Sequence, residues 1–184
     1  LPLVRGLNFH LYGDYGLNVF NSRSLAYLKD KELESACVSF ELRFAQIRDL
    51  KKVLRAEAIV YGRLPLMITE NCLVQNETGC RLDRQGPCVP EDGPCRCGQP
   101  NVLVDRTGAA FPLLPAYGHR TEIQNSKPLY LADRPEHRRL GLAYARLRFT
   151  TETAEECVSV VQNYLDAAPA AGDFTRGLYE RVVE

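Results

Sequence analysis

The sequence has few of the features that would place it in a membrane, on a nucleic acid or in a repeat array. No apolar run approaches the roughly 18 residues that span a bilayer, so we expect no membrane segment. The 23 basic and 23 acidic residues leave no net charge, which argues against a broad nucleic-acid surface but permits a local basic patch. Without internal repeats, the 184 residues predict one globular domain, or one domain with a small appendage.

Histidine is scarce, and this limits the hydrolytic chemistry that the sequence supports. His10, His119 and His137 are the only three, and none lies in a familiar motif with a nucleophile. A His–Glu pair on one helix face, as in metallopeptidases, is absent. Glu57 is the candidate for a catalytic acid or base, because burial at a strand end would raise its pKa. A structural ion pair with an arginine such as Arg63 explains Glu57 equally well.

Cysteine, by contrast, is abundant and unevenly placed. Cys37 and Cys157 are isolated among apolar residues, which is typical of small core side chains. The odd total of seven favours a reducing compartment, and we expect a cytoplasmic protein. The chain begins at Leu1 without a charged-then-apolar leader, so we expect either that a segment was cleaved or that the chain is a piece of a longer protein. The other five cysteines are clustered: Cys72, Cys80, Cys88, Cys95 and Cys97.

The first 70 residues alternate between strand and helix patterns. Asn21 or Ser22 can cap a helix whose inner face carries Leu25 and Leu28. Strand, helix and strand joined by short links predict parallel βα units, whose strands end in loops that carry chemistry. The strands are predicted at 17–20, 36–40 and 58–61, and a second helix at 44–54.

The pattern changes after Met67. Residues 71–101 hold five cysteines, four prolines and four glycines, with almost no periodic apolar pattern. A loop of this length inside a compact domain usually has a functional or cross-linking role. We therefore divide the chain into βα units at 1–70, a cysteine-rich loop at 71–101 and a small mixed α/β region at 102–184.

Regular structure is predicted to resume after the loop. A hairpin is expected at 102–114 around the turn Asp105–Gly108, and a half-buried strand at 143–149. Thr150 or Thr151 can cap a final helix. The apolar face predicted for that helix comprises Ala154, Cys157, Val158, Val161, Tyr164 and Leu165.

The clustered cysteines are candidate metal or cluster ligands. Soft thiolates select zinc, Cu(I) or iron–sulfur clusters, and a metal would organise a loop that has no apolar core. His119 is an alternative ligand, since imidazole suits zinc and can replace thiolate on a cluster iron. The spacing is not that of a zinc ribbon, and disulfides or free thiols remain open as alternatives. The ligands we predict are Cys72, Cys80, Cys95 and Cys97. Cys88 is not among them, because the prolines on either side of it make a stiff stretch with less freedom to turn toward a metal.

Several separated segments resemble one known family. The central one is Glu57–Gly62 followed by Cys72–Val74. The others, in the expected order, are Tyr61–Met67, Leu103–Gly108, Arg120–Ser126, Lys127–Asp133 and Phe174–Gly177. Together they are similar to peptidase family U32, the collagenase-like family. The chain departs from that pattern at Ile59, at Pro65 in place of a cysteine, at Glu70 in place of a glycine, and at His119, where relatives carry a cysteine.

The resemblance implies a fold and two activities. It implies the last βα units of a (β/α)8 TIM-type barrel, with Cys72 as a cluster ligand and Cys80 as the next. The better understood relatives resemble iron–sulfur, oxygen-independent hydroxylation factors that act on RNA bases or quinone precursors. In the RNA cases the hydroxyl group comes from prephenate. The family name implies a peptidase instead, although no agreed nucleophile comes with it.

Two further interpretations concern partners. Local cations could contact the phosphates of ribosomal or transfer RNA, although a solvated protein face explains them equally simply. These cations are Arg134, His137, Arg138, Arg139, Arg146 and Arg148. An alternative is that the piece is a non-catalytic structural half of a barrel. Three parallel strands would then leave an exposed edge, and we expect the isolated chain to form a dimer.

Overall fold

The computed structural model describes residues 9–78, 96 and 99–180, and the fold is mixed α/β with two sheets. The described residues form two compact units. One comprises the residues up to Gly62 and those from Leu129 onward, and the other runs from Arg63 to Pro128. Neither sheet closes into a barrel within the described ranges. None of the helices in these ranges has the length and apolar character needed to cross a bilayer.

The first unit is built on a sheet of four parallel strands in the order β1, β2, β3, β9. A fifth strand, β8, runs antiparallel beside the end of β3. The parallel arrangement confirms the βα interpretation of the first 70 residues, and β9 extends it from far along the chain. The strands are β1 (Tyr12–Gly13), β2 (Ser35–Cys37), β3 (Arg55–Gly62), β8 (Leu129–Tyr130) and β9 (Tyr144–Leu147).

The helices of the first unit begin at local capping signals. Asn21 caps α1 by accepting a hydrogen bond from the Ser24 amide at 2.9 Å, and Leu25 and Leu28 are buried as predicted. The final helix, α4, begins after Thr153, which forms a capping box with Glu156. The helices are α1 (Ser22–Asp30), α2 (Phe44–Asp49) and α4 (Ala154–Asp166), with 3-10 turns at Tyr15–Leu17 and Pro135–Arg139.

The central strand β3 changes its pairing partway along. The register with β9 shifts between Ile59 and Tyr61, which is the signature of a β-bulge. After the shift, Tyr61 is the register partner of Leu147 on β9. Its side chain packs in a buried cluster with Tyr130 and Val160. Two tyrosine hydroxyls satisfy carbonyl groups near the bulge: Tyr164 donates to Val60 and Tyr179 donates to Ile59.

The second unit is an antiparallel sheet with the strand order β4, β7, β6, β5. The predicted hairpin is confirmed, and its turn is held by Asp105, whose carboxylate accepts from the amides of Thr107 and Ala109. The elements are β4 (Pro65–Thr69), α3 (Leu73–Thr78), β5 (Asn101–Val104), β6 (Ala110–Ala116) and β7 (Arg120–Gln124).

Some predicted elements differ from those observed. The stretch predicted as a strand at 17–20 contributes only a bridge from Val19 to Val38, because Asn18 adopts a left-handed conformation. The second helix ends at Asp49 instead of Leu54. The prediction that Thr150 or Thr151 caps the last helix was wrong, since Thr153 does so.

The predicted apolar face of α4 was only partly right. Val160 is the buried residue, whereas Val158 and Leu165 are each 71% exposed. Cys157, predicted as a core residue, is half-buried, and Cys37 is fully buried. The two compact units also cut across the predicted ranges 1–70, 71–101 and 102–184, because the segment after Leu129 returns to the parallel sheet.

Candidate functional site

Cys72 occupies a fixed position at the start of α3. Its side chain is buried, and its carbonyl accepts from the Asn76 amide. The neighbouring Leu73 amide donates to the hydroxyl of buried Thr121 on β7 at 3.1 Å. Thr69, at the end of β4, donates through its hydroxyl to the Asn71 carbonyl at 2.6 Å. Two strands therefore hold the backbone on either side of the thiol.

His119 approaches the same place from the turn between β6 and β7. It adopts a positive φ of 59°, next to Gly118 at 75°, so that the chain reverses within three residues. The turn is tied to the end of β4 by an ion pair between Arg120 and Glu70 at 2.9 Å. Cys72 and His119 thereby line one cavity of about 680 Å³, together with Glu70, Asn71, Gln75, Asn76 and Gly118.

The structure thus brings together two of the five predicted metal ligands. A thiol and an imidazole in one cavity are donors that suit zinc or a cluster iron. Among the described residues, no group of three or more histidine, cysteine or acidic side chains is placed to hold a metal ion. The other predicted ligands, Cys80, Cys95 and Cys97, lie outside the described residues, as does Cys88.

Glu57, the predicted acid or base, lies on β3 and is 8% exposed. Its carboxylate accepts from the guanidinium of Arg146 on β9, which also donates to Asp14. The ion pair with an arginine that we gave as the alternative role of Glu57 is therefore made by Arg146, whereas the Arg63 guanidinium donates to the carbonyls of Asn125 and Ser126. The buried carboxylate is therefore part of a structural ion-pair network.

The residues around Glu57 come from three neighbouring strands. Cys37 is its register partner on β2, and Tyr144 is its partner on β9. Burial raises the pKa of the Cys37 thiol to about 12, against a smaller opposing effect from Arg146. A thiol with such a pKa is a poor nucleophile at neutral pH. Sequence reasoning missed Asp14, because it is far from Arg146 in sequence and the two meet only in the tertiary structure.

Several of the cations proposed for RNA binding have partners within the protein. Arg134 forms an ion pair with Glu180 at 2.8 Å, and Arg138 donates to the Tyr164 carbonyl at 2.8 Å. Arg148 lies over the ring of Tyr15, with 5.4 Å from its Cζ to the ring centroid. His137 is buried against the Arg134 carbonyl, and burial lowers its pKa. These contacts within the protein explain the positions of most of these cationic side chains without RNA phosphates as partners.

Comparison with known proteins identifies the family. The sequence model of peptidase family U32 matches residues 4–105, which is more than half of the chain and includes Glu57 and Cys72. No curated protein and no solved structure matches the chain. The match agrees with the motifs at Glu57–Gly62 and Cys72–Val74, and the chain belongs to peptidase family U32.

Proposed function

We propose that this chain belongs to the hydroxylation branch of its family and acts on RNA with the help of an iron–sulfur cluster. The observation that carries the proposal is the convergence of Cys72 and His119. They are far apart in sequence yet line one cavity at the start of α3. The cavity adjoins the point where the chain enters the cysteine-rich segment.

The donor set fits a cluster. Cys72 supplies a thiolate from a buried, strand-anchored position, and His119 supplies an imidazole nitrogen from a turn fixed by the Arg120–Glu70 ion pair. Cys80, Cys95 and Cys97 would complete the ligand set. When bound, a cluster supplies one-electron transfer. Zinc is the alternative metal for the same donors.

The chemistry proposed for the site is the replacement of C–H by C–OH on a nucleobase. This conversion removes two electrons from the base and adds one oxygen atom. We propose that an organic hydroxyl donor provides the oxygen and accepts the two electrons, so that its own C–OH bond is replaced by C–H as the base gains C–OH. The role of this chain is to hold the cluster through its cysteines beside α3.

The parallel sheet supports the proposed barrel architecture. β1, β2, β3 and β9 run parallel in one sheet, and an eight-stranded barrel is built from such strands. We propose that these four strands are half of a (β/α)8 barrel.

A collagenase-like peptidase activity gains less support. It would require Glu57 as a free acid or base, or a nucleophile with a base within hydrogen-bond reach. Glu57 is engaged by Arg146, and the buried Cys37 thiol has a pKa near 12. Cleavage of gelatin by purified protein that is lost in Glu57→Gln would favour the peptidase over our proposal.

Anaerobic purification and reconstitution, followed by iron, sulfide and zinc analysis, tests the cluster. We expect Cys72→Ala and Cys97→Ala to abolish bound metal and His119→Ala to weaken it. Cys88→Ser should retain most of it. Cys157→Ser is the matched control, because this half-buried cysteine lies on α4, in the other compact unit. If the wild-type protein binds neither iron nor zinc, the proposal fails.

Binding of ribosomal and transfer RNA, measured over a range of salt concentrations, tests the substrate. We expect affinity that falls as salt rises, since phosphate contacts release counterions. Absence of binding at low salt would contradict RNA as the substrate. The metal analysis would be unaffected by that outcome.

A further inference from the structure

The cavity beside α3 is rich in residues that carry carboxamides. Asn71, Gln75 and Asn76 line it together with Cys72 and His119. A carboxamide has donors and an acceptor side by side, so it pairs with a ligand edge that offers the complementary groups. The metals proposed for this site take thiolates, imidazoles and carboxylates as ligands. Three carboxamides are therefore more than a metal centre needs, and they are suited to recognising a second ligand.

The backbone that carries these residues is fixed by local hydrogen bonds. The Asn71 carbonyl accepts from the Thr69 hydroxyl at 2.6 Å. The Asn76 amide donates to the Cys72 carbonyl at 3.3 Å, which closes the first turn of α3. Residues four apart are neighbours on one side of a helix, so Asn76 lies beside the proposed metal ligand Cys72.

The charge of the cavity lining favours a neutral ligand. Its one described acid, Glu70, forms an ion pair with Arg120 at 2.9 Å. None of the lining residues that the structure describes is a lysine or an arginine, the side chains that bind phosphates and carboxylates. The volume of about 680 Å³ lies in the range of small-molecule sites, roughly 300–1,000 Å³. A nucleobase is a neutral ligand of suitable size, with donors and acceptors along its edges.

An exposed aromatic ring adjoins the same cavity. Tyr117 is 96% exposed and directly precedes Gly118, which lines the cavity. The turn that carries both residues is closed by the antiparallel pairing of Ala116 with Arg120. Exposed aromatic side chains are stacking platforms for the bases of single-stranded RNA. A second, independent feature of this surface therefore suits a nucleic-acid base.

We propose that the cavity holds the target nucleobase of the RNA, recognised by the carboxamides of Asn71, Gln75 and Asn76, while Tyr117 stacks on an adjacent base. This inference rests on the proposed function and assigns recognition of the base to the unit that carries Cys72. Enzymes that modify a base take it out of the stack and recognise its hydrogen-bonding edge in a pocket. Here the pocket and two proposed cluster ligands share one cavity, so a bound base lies next to the proposed electron-transfer group.

Binding of the four common ribonucleosides to the anaerobically reconstituted chain, measured by isothermal titration calorimetry, tests the pocket. Adenosine, cytidine, guanosine and uridine carry no phosphate, so contacts with the RNA backbone contribute nothing. We expect the preferred nucleoside to bind at least about tenfold more tightly than the weakest. Gln75→Glu and Asn76→Asp replace a donor–acceptor pair with acceptors only. Each should weaken binding of the preferred nucleoside at least about tenfold.

The matched control is Gln162→Glu, the same chemical change on α4 in the other compact unit. It should leave all four affinities unchanged. Iron content equal to that of the wild-type protein shows that a carboxamide variant has kept its fold and its metal site.

A single-stranded RNA trinucleotide tests the stacking role of Tyr117. Tyr117→Ala should weaken its binding about tenfold, whereas Tyr117→Phe keeps the ring and should bind as the wild-type protein does. Both variants should bind the single nucleosides normally. Equal trinucleotide affinity in Tyr117→Ala and the wild-type protein would overturn the stacking role.

Unchanged nucleoside affinities in both carboxamide variants would overturn the base pocket. So would absence of nucleoside binding by a chain that binds metal and ribosomal or transfer RNA, and that outcome would leave the proposed function in place. A chain that binds nucleosides as expected but holds neither iron nor zinc would support the pocket and contradict the proposed function.

Discussion

Removal of one buried hydroxyl, in Tyr164→Phe, tests how the central strand is held. The Tyr164 hydroxyl donates to the Val60 carbonyl and accepts from the Leu131 amide at 2.8 Å. Val60 is 1% exposed and Leu131 is fully buried. Burial also raises the pKa of the Tyr164 hydroxyl above its ordinary value, so it stays protonated and able to donate well into the alkaline range.

The magnitude follows from what the substitution leaves behind. Phenylalanine keeps the ring, which packs against Tyr61 and Tyr130, so no large cavity forms. Two buried backbone groups lose their partner, and an unsatisfied group costs about 1–3 kcal/mol. We expect a loss of about 2–4 kcal/mol in the free energy of unfolding. With a slope of about 2 kcal/mol per molar urea, the midpoint should fall by about 1–2 M.

Urea denaturation followed by far-UV circular dichroism measures this loss, since the chain has no tryptophan to report by fluorescence. Tyr27→Phe is the matched control. Tyr27 lies on α1, is 59% exposed, and should change the free energy of unfolding by no more than about 0.5 kcal/mol. If the two variants unfold at the same urea concentration, the Tyr164 hydroxyl does not hold the bulge as we describe.

Two further predictions concern the Glu57–Arg146 ion pair and the buried Cys37 thiol. Arg146→Met should cost about 3–5 kcal/mol, because it leaves the buried Glu57 carboxylate without its cation. Adding Glu57→Gln should recover part of that loss in the same denaturation experiment, and a double variant no more stable than Arg146→Met would contradict the pairing. The Cys37 thiol should contribute a fall in stability from about pH 9 towards pH 12, of up to about 1.4 kcal/mol per pH unit, because it ionises first in the unfolded chain. Burial also raises the pKa values of the Tyr164 and Tyr179 hydroxyls, and these groups should add to the fall above about pH 10. Cys37→Ala should show a shallower slope over that range, and an equal slope would show that another group titrates.

Features that depend on neighbouring residues could be predicted from the sequence. The Asn21 cap of α1 and the Asp105 turn of the β5–β6 hairpin each form within a few residues. The parallel pairing of β2 with β3 was also predicted, because strand and helix patterns that alternate with short links are typical of βα units. The first strand, β1, was not predicted. The family followed from motifs at Glu57–Gly62 and Cys72–Val74, which are likewise short.

Features that depend on distant contacts were decided only by the tertiary structure. The sequence of α4 is compatible with burial of either Val158 or Val160, and the choice depends on where the sheet lies. Glu57 and Arg146 are far apart in the chain, and they meet only because β9 pairs with β3 in parallel register. Cys72 and His119 likewise share a cavity because β4 and β7 are paired. The sequence by itself determined the types of donor and the local elements, whereas long-range strand pairing decided which side chains meet, because a periodic pattern does not specify its partner.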